Sequence, residues 1–291
     1  MNARVPWPQP ADDDHASGWA GVQVRRLQGA AAHVDACTEA DQVIDEQPVA
    51  LVFNGLSHVV MMATPTHLED LGLGFALSEG LIADVSALCD IEVERHDQGQ
   101  THGYSVHLTV SSQAFAALKN RRRQLAGRTG CGLCGIDSLQ AFRADWPQPL
   151  PAELSAALAA RPADAWHAAI APAWAQLPDH QPLQALTGGC HAAALANAHG
   201  HITLAREDVG RHNALDKLIG AAARQGLRPA AGDITLVSSR ASYEMVSKCV
   251  RVGWGALAAV SAPTGLAVEL AQASGFKLFG FCRGRQAVAY A

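Results

Sequence analysis

Arg206-Glu-Asp-Val-Gly-Arg-His-Asn-Ala-Leu-Asp-Lys217 is the stretch on which the reading of this chain turns. An apolar run, His201 to Arg206, gives way here to a helical pattern from about Gly210 to Gln225. Charged groups together with His212 and Asn213 crowd this strand-to-helix junction, with more variety than a solvated face needs. Some must pair inside the molecule, and the expectation is Asp216 or Glu207 with an arginine. His212, at a helix start, could instead meet a ligand or act in acid–base chemistry. Upstream, Ala192 to Asn197 and His201 to Arg206 read as paired strands around Ala198-His199-Gly200. Downstream come a strand Ile234 to Ser238, a helix Tyr243 to Val250, a strand Ala256 to Val260 and a helix Thr264 to Ala273. Strands Lys277 to Cys282 and Gln286 to Tyr290 end the chain. Such alternation implies an α/β fold, with a partly parallel sheet covered on both faces.

Helix starts that follow successive strands gather at one edge of an α/β sheet, where ligands usually bind. The polar residues of this chain fall there. Ser239-Arg240-Ala241-Ser242 places hydroxyls and an arginine at a helix N-terminus, which offers free N–H groups to an anion. Ser261-Ala262-Pro263-Thr264 repeats the arrangement. Phe281-Cys282-Arg283-Gly284-Arg285-Gln286 leaves the last long strand with two arginines around a glycine, and arginine forks suit phosphates and stack on purines. Thr187-Gly188-Gly189-Cys190-His191 precedes a strand; the bland reading is a tight turn with Cys190 buried, the functional one a backbone open to a phosphate or pterin. The ligand implied is an anionic nucleotide, touched by Thr187, Gly188, Gly189, His191, Arg211, His212, Asn213, Arg240, Ser242 and the loop Phe281 to Gln286. No Walker loop is present, so ordinary nucleotide hydrolysis is not expected.

The first half reads as mixed α+β. Val22-Gln-Val-Arg-Arg alternates as a strand, and Pro48 to Phe53, Asn54-Gly55 and His58 to Ala63 make a hairpin signal. Thr66-His-Leu-Glu69 has the form of a capping box opening a helix to about Gly80. Strand-like runs Ile91 to Arg95 and Tyr104 to Val110 precede a basic helix ending at Arg121-Arg122-Arg123. Residues 1–18 are rich in Pro, Asp and small side chains and read as a tail. Residues 19–143 form a smaller α+β domain and 144–291 the α/β domain, beginning with an Ala- and Pro-rich helical connection.

Between the halves lies Arg128-Thr-Gly-Cys131-Gly-Leu-Cys134-Gly135. Two thiols three positions apart can form a disulfide, hold half a metal site or carry a sulfur atom. The glycines match G-x-G-x-x-G, but a helix-like run, Phe115 to Gln124, precedes them where a nucleotide loop needs a strand. A structural zinc site needs four ligands, and no second C-x-x-C exists, so no metal is expected. Redox or sulfur-transfer chemistry is the leading reading. A helix over Ile136 to Phe142 and the nearby Arg128 both favour thiolate at Cys134.

The whole chain supports these readings by exclusion. Its 291 residues suffice for one large or two modest cores, and a net charge of −5 gives no pointer to nucleic acid. Seven cysteines, an odd number and mostly scattered, do not resemble a secreted disulfide framework. No signal segment opens the sequence, and Pro263-Thr264-Gly265 breaks the apolar stretch Val252 to Val268, so a soluble cytoplasmic protein without a membrane span is expected.

With these residues in view, the chain resembles the FdhD family, sulfur-carrier proteins needed to make formate dehydrogenases active. The matching pieces are Cys131-Gly-Leu-Cys134, Thr187 to His191, Arg206 to Lys217, Tyr243-Glu-Met-Val-Ser-Lys248, Ser261 to Thr264 and Gly280-Phe-Cys-Arg283. Ser239 stands where the family usually has glycine, and Trp254-Gly255 where Ile-Pro is common. The resemblance implies a C-terminal cytidine-deaminase-like three-layer α/β/α domain. It implies that Cys131 accepts sulfur as a persulfide from a cysteine desulfurase, with Cys134 assisting. The sulfur would pass to a molybdenum or tungsten bis-guanine-dinucleotide cofactor, bound transiently and mimicked by GDP or GTP, for a formate dehydrogenase catalytic subunit. A homodimer is the candidate assembly. Two alternatives stand beside this: a passive cofactor-binding chaperone, and a zinc-dependent deaminase. The second fails on residues, because Asn213 and Ala214 follow His212 and Ser-Tyr-Glu-Met-Val replaces Pro-Cys-x-x-Cys.

Overall fold

The computed structural model describes residues 17–28, 35–98, 101–124 and 146–291. Cys131, Cys134, the helix expected over 136–142 and nearly all of the N-terminal stretch lie outside them. The first half opens with an antiparallel ribbon, β1 (Trp19–Gln28) and β2 (Asp35–Ile44). A four-stranded sheet follows, made of β3 (Gln47–Phe53), β4 (Leu56–Ala63), β5 (Leu88–Gln98) and β6 (Thr101–Val110) in the order β4-β3-β6-β5. The Asn54-Gly55 turn closes β3 onto β4 with both residues at positive φ, 45° and 79°, as a two-residue hairpin of this type requires. Val49, Leu51 and Phe53 alternate inward on β3 and meet Leu71 and Phe75 of α1 (Leu68–Ser78). Leu118 of α2 (Ser112–Gln124) joins the same core.

The capping box expected at Thr66–Glu69 does not form. The N-cap is His67, in the left-handed region at φ 52°, with no side-chain cap. The Thr66 hydroxyl is buried without a hydrogen-bond partner among the described residues.

The Ala-rich connection is helical, as read: α3 (Ala152–Ala160), α4 (Ala163–Gln176) and a short α5 (Pro182–Thr187). The second sheet has six strands: β7 (His191–Ala196), β8 (Ile202–Asp208), β9 (Ile234–Val237), β10 (Ala256–Ala259), β11 (Lys277–Arg283) and β12 (Gln286–Ala289). Their order is β12-β11-β10-β9-β7-β8. β9, β10 and β11 run parallel, while β7, β8 and β12 are antiparallel to their neighbours. Between the strands come α6 (Arg211–Arg224), α7 (Tyr243–Arg251) and α8 (Gly265–Ser274). β7 is buried from its second residue on. Its Ala193 and Leu195 belong to the core with Ala214 and Leu218 of α6. Ala192, Ala194 and Ala196 join Ala173 of α4 and Leu177 instead. Small side chains on both faces let helices close on the sheet from either side, giving three layers. This mixed α/β arrangement is compatible with the deaminase-like domain implied by the resemblance.

The two halves meet where α1 lies against α6. A Cβ on Gly74 would sit 1.7 Å from the Asp216 carbonyl oxygen, and one on Gly220 1.9 Å from the Asp70 carbonyl oxygen. Only glycines allow backbones this close. Around the crossing the charged motif is consumed in buried ties. Arg206 and Arg224 both reach Asp70 at 2.9 Å. Lys217 meets Asp208 at 2.6 Å with both side chains fully buried. Asp216 pairs at 2.9 Å with Lys248, which also contacts Glu79 at 2.8 Å. Burial works against the charge on Lys248, but Asp216 and Glu79 outweigh it and hold its pKa above that of an ordinary lysine. The expected arginine partner for Asp216 or Glu207 is therefore corrected. Asp216 takes a lysine from α7, and Glu207 accepts from the Leu183 and Gln184 backbone N–H groups at 2.9 and 2.8 Å. The sequence carries no sign of either, because both partners come from elements distant in the chain.

Candidate functional site

The strand directions of the second sheet bring its polar residues to one edge. β7 is antiparallel to β8 and β9, so its first residue, His191, pairs with Asp208 at the end of β8. The parallel strands end alongside. The Val260 N–H donates to the Val237 carbonyl at 3.2 Å, and Ala241 bridges to Pro263. The Phe281 N–H donates to the Ser261 carbonyl at 3.2 Å, and Arg283 Nε to the Val260 carbonyl at 3.1 Å. From β11 to β8 this edge spans four strand spacings, or roughly 19 Å.

Two helices open onto the edge without a side-chain cap: α6 behind Gly210 and α7 behind Ser242. Their first N–H groups and positive dipole ends favour an anion. Glu244, in the first turn of α7, offsets part of that field. The third helix, α8, is capped, with Thr264 Oγ1 accepting from the Ala267 N–H at 3.3 Å. His212 Nε2 and Ser242 Oγ are buried and have no hydrogen-bond partner among the described residues, a condition native proteins rarely leave without a water or ligand. Burial first, then Arg211 and Lys248, press His212 down to about 4, so its ring is neutral near pH 7. His191 is lowered too, by burial and then by Arg211, and its Nδ1 faces Ser238 Oγ at 3.4 Å. Arg240 is exposed and Arg211 half-buried on the same edge.

At the other end, Phe281 has φ 51° and its side chain is 40 % exposed. The β11–β12 register shifts between Gly280 and Arg283, so an irregularity in the ladder accompanies the outward phenyl ring. A bulky side chain at positive φ is strained, and such strain clusters at functional sites. Arg283 and Arg285 flank Gly284, whose φ is 56°, and both are exposed.

Other candidates are engaged elsewhere. Asn213 donates from Nδ2 to the Met62 carbonyl at 2.8 Å and to Asp208 at 3.0 Å, which uses both amide hydrogens. Cys282 is fully buried, and burial raises its thiol to about 12. Thr187 donates to the Leu183 carbonyl at 2.7 Å and accepts from the Gly189 N–H at 3.2 Å, holding the double-glycine turn at the end of α5. Cys190 is half-buried and donates to Glu207 at 3.2 Å; burial, then that carboxylate, push its pKa far up. Cys190 is thus a poor nucleophile. Cys131 and Cys134 lie outside the described residues, so the edge is seen without them. Among the described residues no group of three or more His, Cys, Asp or Glu side chains could hold a metal ion. His167, a lone histidine on an Ala-rich helix, carries no sequence signal. Its Nε2 lies 2.6 Å from the Arg285 carbonyl. No helix of the described residues is long and apolar enough to cross a membrane.

Comparison with known proteins shows the family. The chain is 51% identical over 253 residues to the sulfur carrier protein FdhD of Cupriavidus necator, covering 86% of this chain and 82% of that one. It is 50% identical over 260 residues to the protein of the same name from Chromobacterium violaceum, covering 89% and 92% of the two. Its fold resembles a crystal structure described as a formate dehydrogenase accessory protein from Desulfotalea psychrophila, with a TM-score of 0.63 at 20% identity, over 93% of this chain and 96% of that one. The model of the FdhD/NarQ family matches residues 44–291, and the chain belongs to that family.

Proposed function

We propose that this protein carries sulfur as a persulfide on Cys131 and delivers it to a molybdenum or tungsten bis-guanine-dinucleotide cofactor, which is its substrate, on behalf of a formate dehydrogenase. The relatives named sulfur carrier proteins support sulfur carriage. The observation that carries the cofactor reading is the row of strand ends. Arg211, Arg240, Arg283 and Arg285 share one sheet edge with two uncapped helix starts and the outward ring of Phe281. That combination suits a long ligand with phosphates and flat rings.

The sulfur steps balance without an outside oxidant, and a thiol reductant reopens the disulfide they leave before the next round. A Cys131 thiolate attacks the outer sulfur of the desulfurase persulfide, forming Cys131–S–S and releasing the desulfurase thiolate. Attack by Cys134 on the inner sulfur of Cys131 then expels hydrosulfide and leaves a Cys131–Cys134 disulfide. Cys190, Cys249 and Cys282 do not compete, since burial raises all three thiols. The partners on this reading are a cysteine desulfurase and the dehydrogenase subunit.

The test is intact mass after incubation with a cysteine desulfurase and cysteine. The wild type gains the mass of one sulfur atom and Cys131→Ala gains none, while Cys134→Ala still gains it but restores dehydrogenase activity more slowly. A Cys131→Ala protein that gains one sulfur and restores full activity refutes the assignment.

A further inference from the structure

The turn bearing Arg283 and Arg285 joins β11 to the outermost strand, β12, which is only four residues long. Such an edge hairpin is weakly held by its own ladder. Among the described residues, two side-chain hydrogen bonds from outside the ladder reach the turn. One is Arg283 Nε on the Val260 carbonyl; the other is His167 Nε2, 2.6 Å from the Arg285 carbonyl and 118 residues away in sequence. The helix that carries His167, α4, is itself firmly mounted. Trp166 packs its ring 5.5 Å from that of Phe279. Arg161, just before the helix, donates to the Ala165 and Ala198 carbonyls at 2.9 and 2.8 Å, and Gln176, at its end, to the Gly200 carbonyl at 2.7 Å. His167 is thus an exposed side chain on a rigid support, holding the Arg285 end of a turn whose Arg283 end is tied to Val260.

We infer that His167 is a positioning residue for ligand binding: by donating to the Arg285 carbonyl it holds both arginines in the orientation that receives a phosphate group. The inference rests on the nucleotide-binding reading above and adds a residue that touches no ligand. Only a donor is required, so the requirement separates His167→Ala from His167→Gln.

The experiment measures GDP affinity by calorimetry in the wild type and both variants, with amide exchange of residues 283–287 in the ligand-free proteins. His167→Ala weakens GDP binding about fivefold, the worth of one net hydrogen bond, and speeds exchange at the turn. Thermal stability falls by no more than the loss of that one exposed hydrogen bond allows, and the chain stays folded. His167→Gln restores affinity to within about twofold, since its amide supplies the same donor. Unchanged affinity in His167→Ala, or a His167→Gln protein as weak as His167→Ala, overturns the inference. If the wild type binds no GDP, the nucleotide reading fails instead. Unchanged exchange in His167→Ala would then overturn the positioning role as well.

Discussion

Replacing Gly220 by alanine tests how the two halves are joined. The added methyl would lie 1.9 Å from the Asp70 carbonyl oxygen and 2.7 Å from its carbon. Carbon contacts are comfortable only near about 3.5 Å, so α1 and α6 must separate by roughly 1.5 Å. The obstruction is helix backbone on both sides, which cannot turn aside as a side chain could. Separation also stretches the ties flanking the crossing: Arg206 to Asp70 at 2.9 Å, Ser78 to Asp216 at 2.6 Å and the Thr64 N–H to Asp208 at 3.1 Å. Overpacking costs about 1–3 kcal/mol, and loosening one buried polar contact about 1–3 kcal/mol more. Alanine regains about 1 kcal/mol of helix propensity. The balance is a destabilisation of about 1–5 kcal/mol, read as a lower urea midpoint with an unchanged slope. Gly265→Ala is the control: that glycine opens α8, and an added Cβ would meet nothing within 4 Å. If Gly220→Ala unfolds at the wild-type midpoint, the close crossing does not hold the halves together.

His212 titrates at about 4 in the folded chain against an ordinary 6.5, so the unfolded chain binds its proton first. Stability from this group is present above pH 6.5 and falls as pH drops towards 4, by at most about 3–4 kcal/mol. His212→Gln should flatten that part of the difference in urea midpoint between pH 7 and pH 5, and a variant with the wild-type acid loss contradicts the assignment. Removing both Arg283 and Arg285 should weaken GDP binding by about 2–3 kcal/mol, two charge-assisted contacts at partial exposure. Unchanged calorimetric affinity in the double alanine variant would place the nucleotide elsewhere.

Strand and helix existence in the second half was legible almost throughout, because β-branched or Ala-rich runs alternate with helical patterns and turn residues punctuate them. The β3–β4 hairpin was equally plain from Asn54-Gly55. What escaped was set by distant contacts. β2 reads Asp-Ala-Cys-Thr-Glu-Ala-Asp-Gln-Val-Ile, too polar to announce itself, and it becomes a strand by pairing along the whole of β1. The capping box at Thr66 looked sound locally, but the chain turns left-handed at His67 and the helix begins without it. At the site, the convergence of Arg211, Arg240, Arg283 and Arg285 followed from strand order alone. The engagement of Asn213 with Met62 and Asp208 did not, since Met62 comes from the other half of the chain.

The charged motif that opened the reading has two jobs, and the geometry separates them residue by residue. Asp208 lies two residues before the Gly210 N-cap, a place from which a carboxylate would ordinarily neutralise the helix start. Here its charge is taken by Lys217 at 2.6 Å inside the core. Its oxygens also hold the Gly210 N–H at 2.8 Å, the Asn213 amide at 3.0 Å and the Thr64 N–H at 3.1 Å. The acid therefore fixes the position of the α6 start and ties it to the first half of the chain. Because Lys217 cancels its charge, Asp208 leaves the positive end of α6 uncompensated. Arg211, next to that end and half-buried, adds a cation. His212, forced neutral by burial, adds no counter-charge and brings a ring nitrogen that no group among the described residues satisfies. The interior members of the motif thus build a rigid, uncapped helix start, and the two residues that begin the helix present it to an anion.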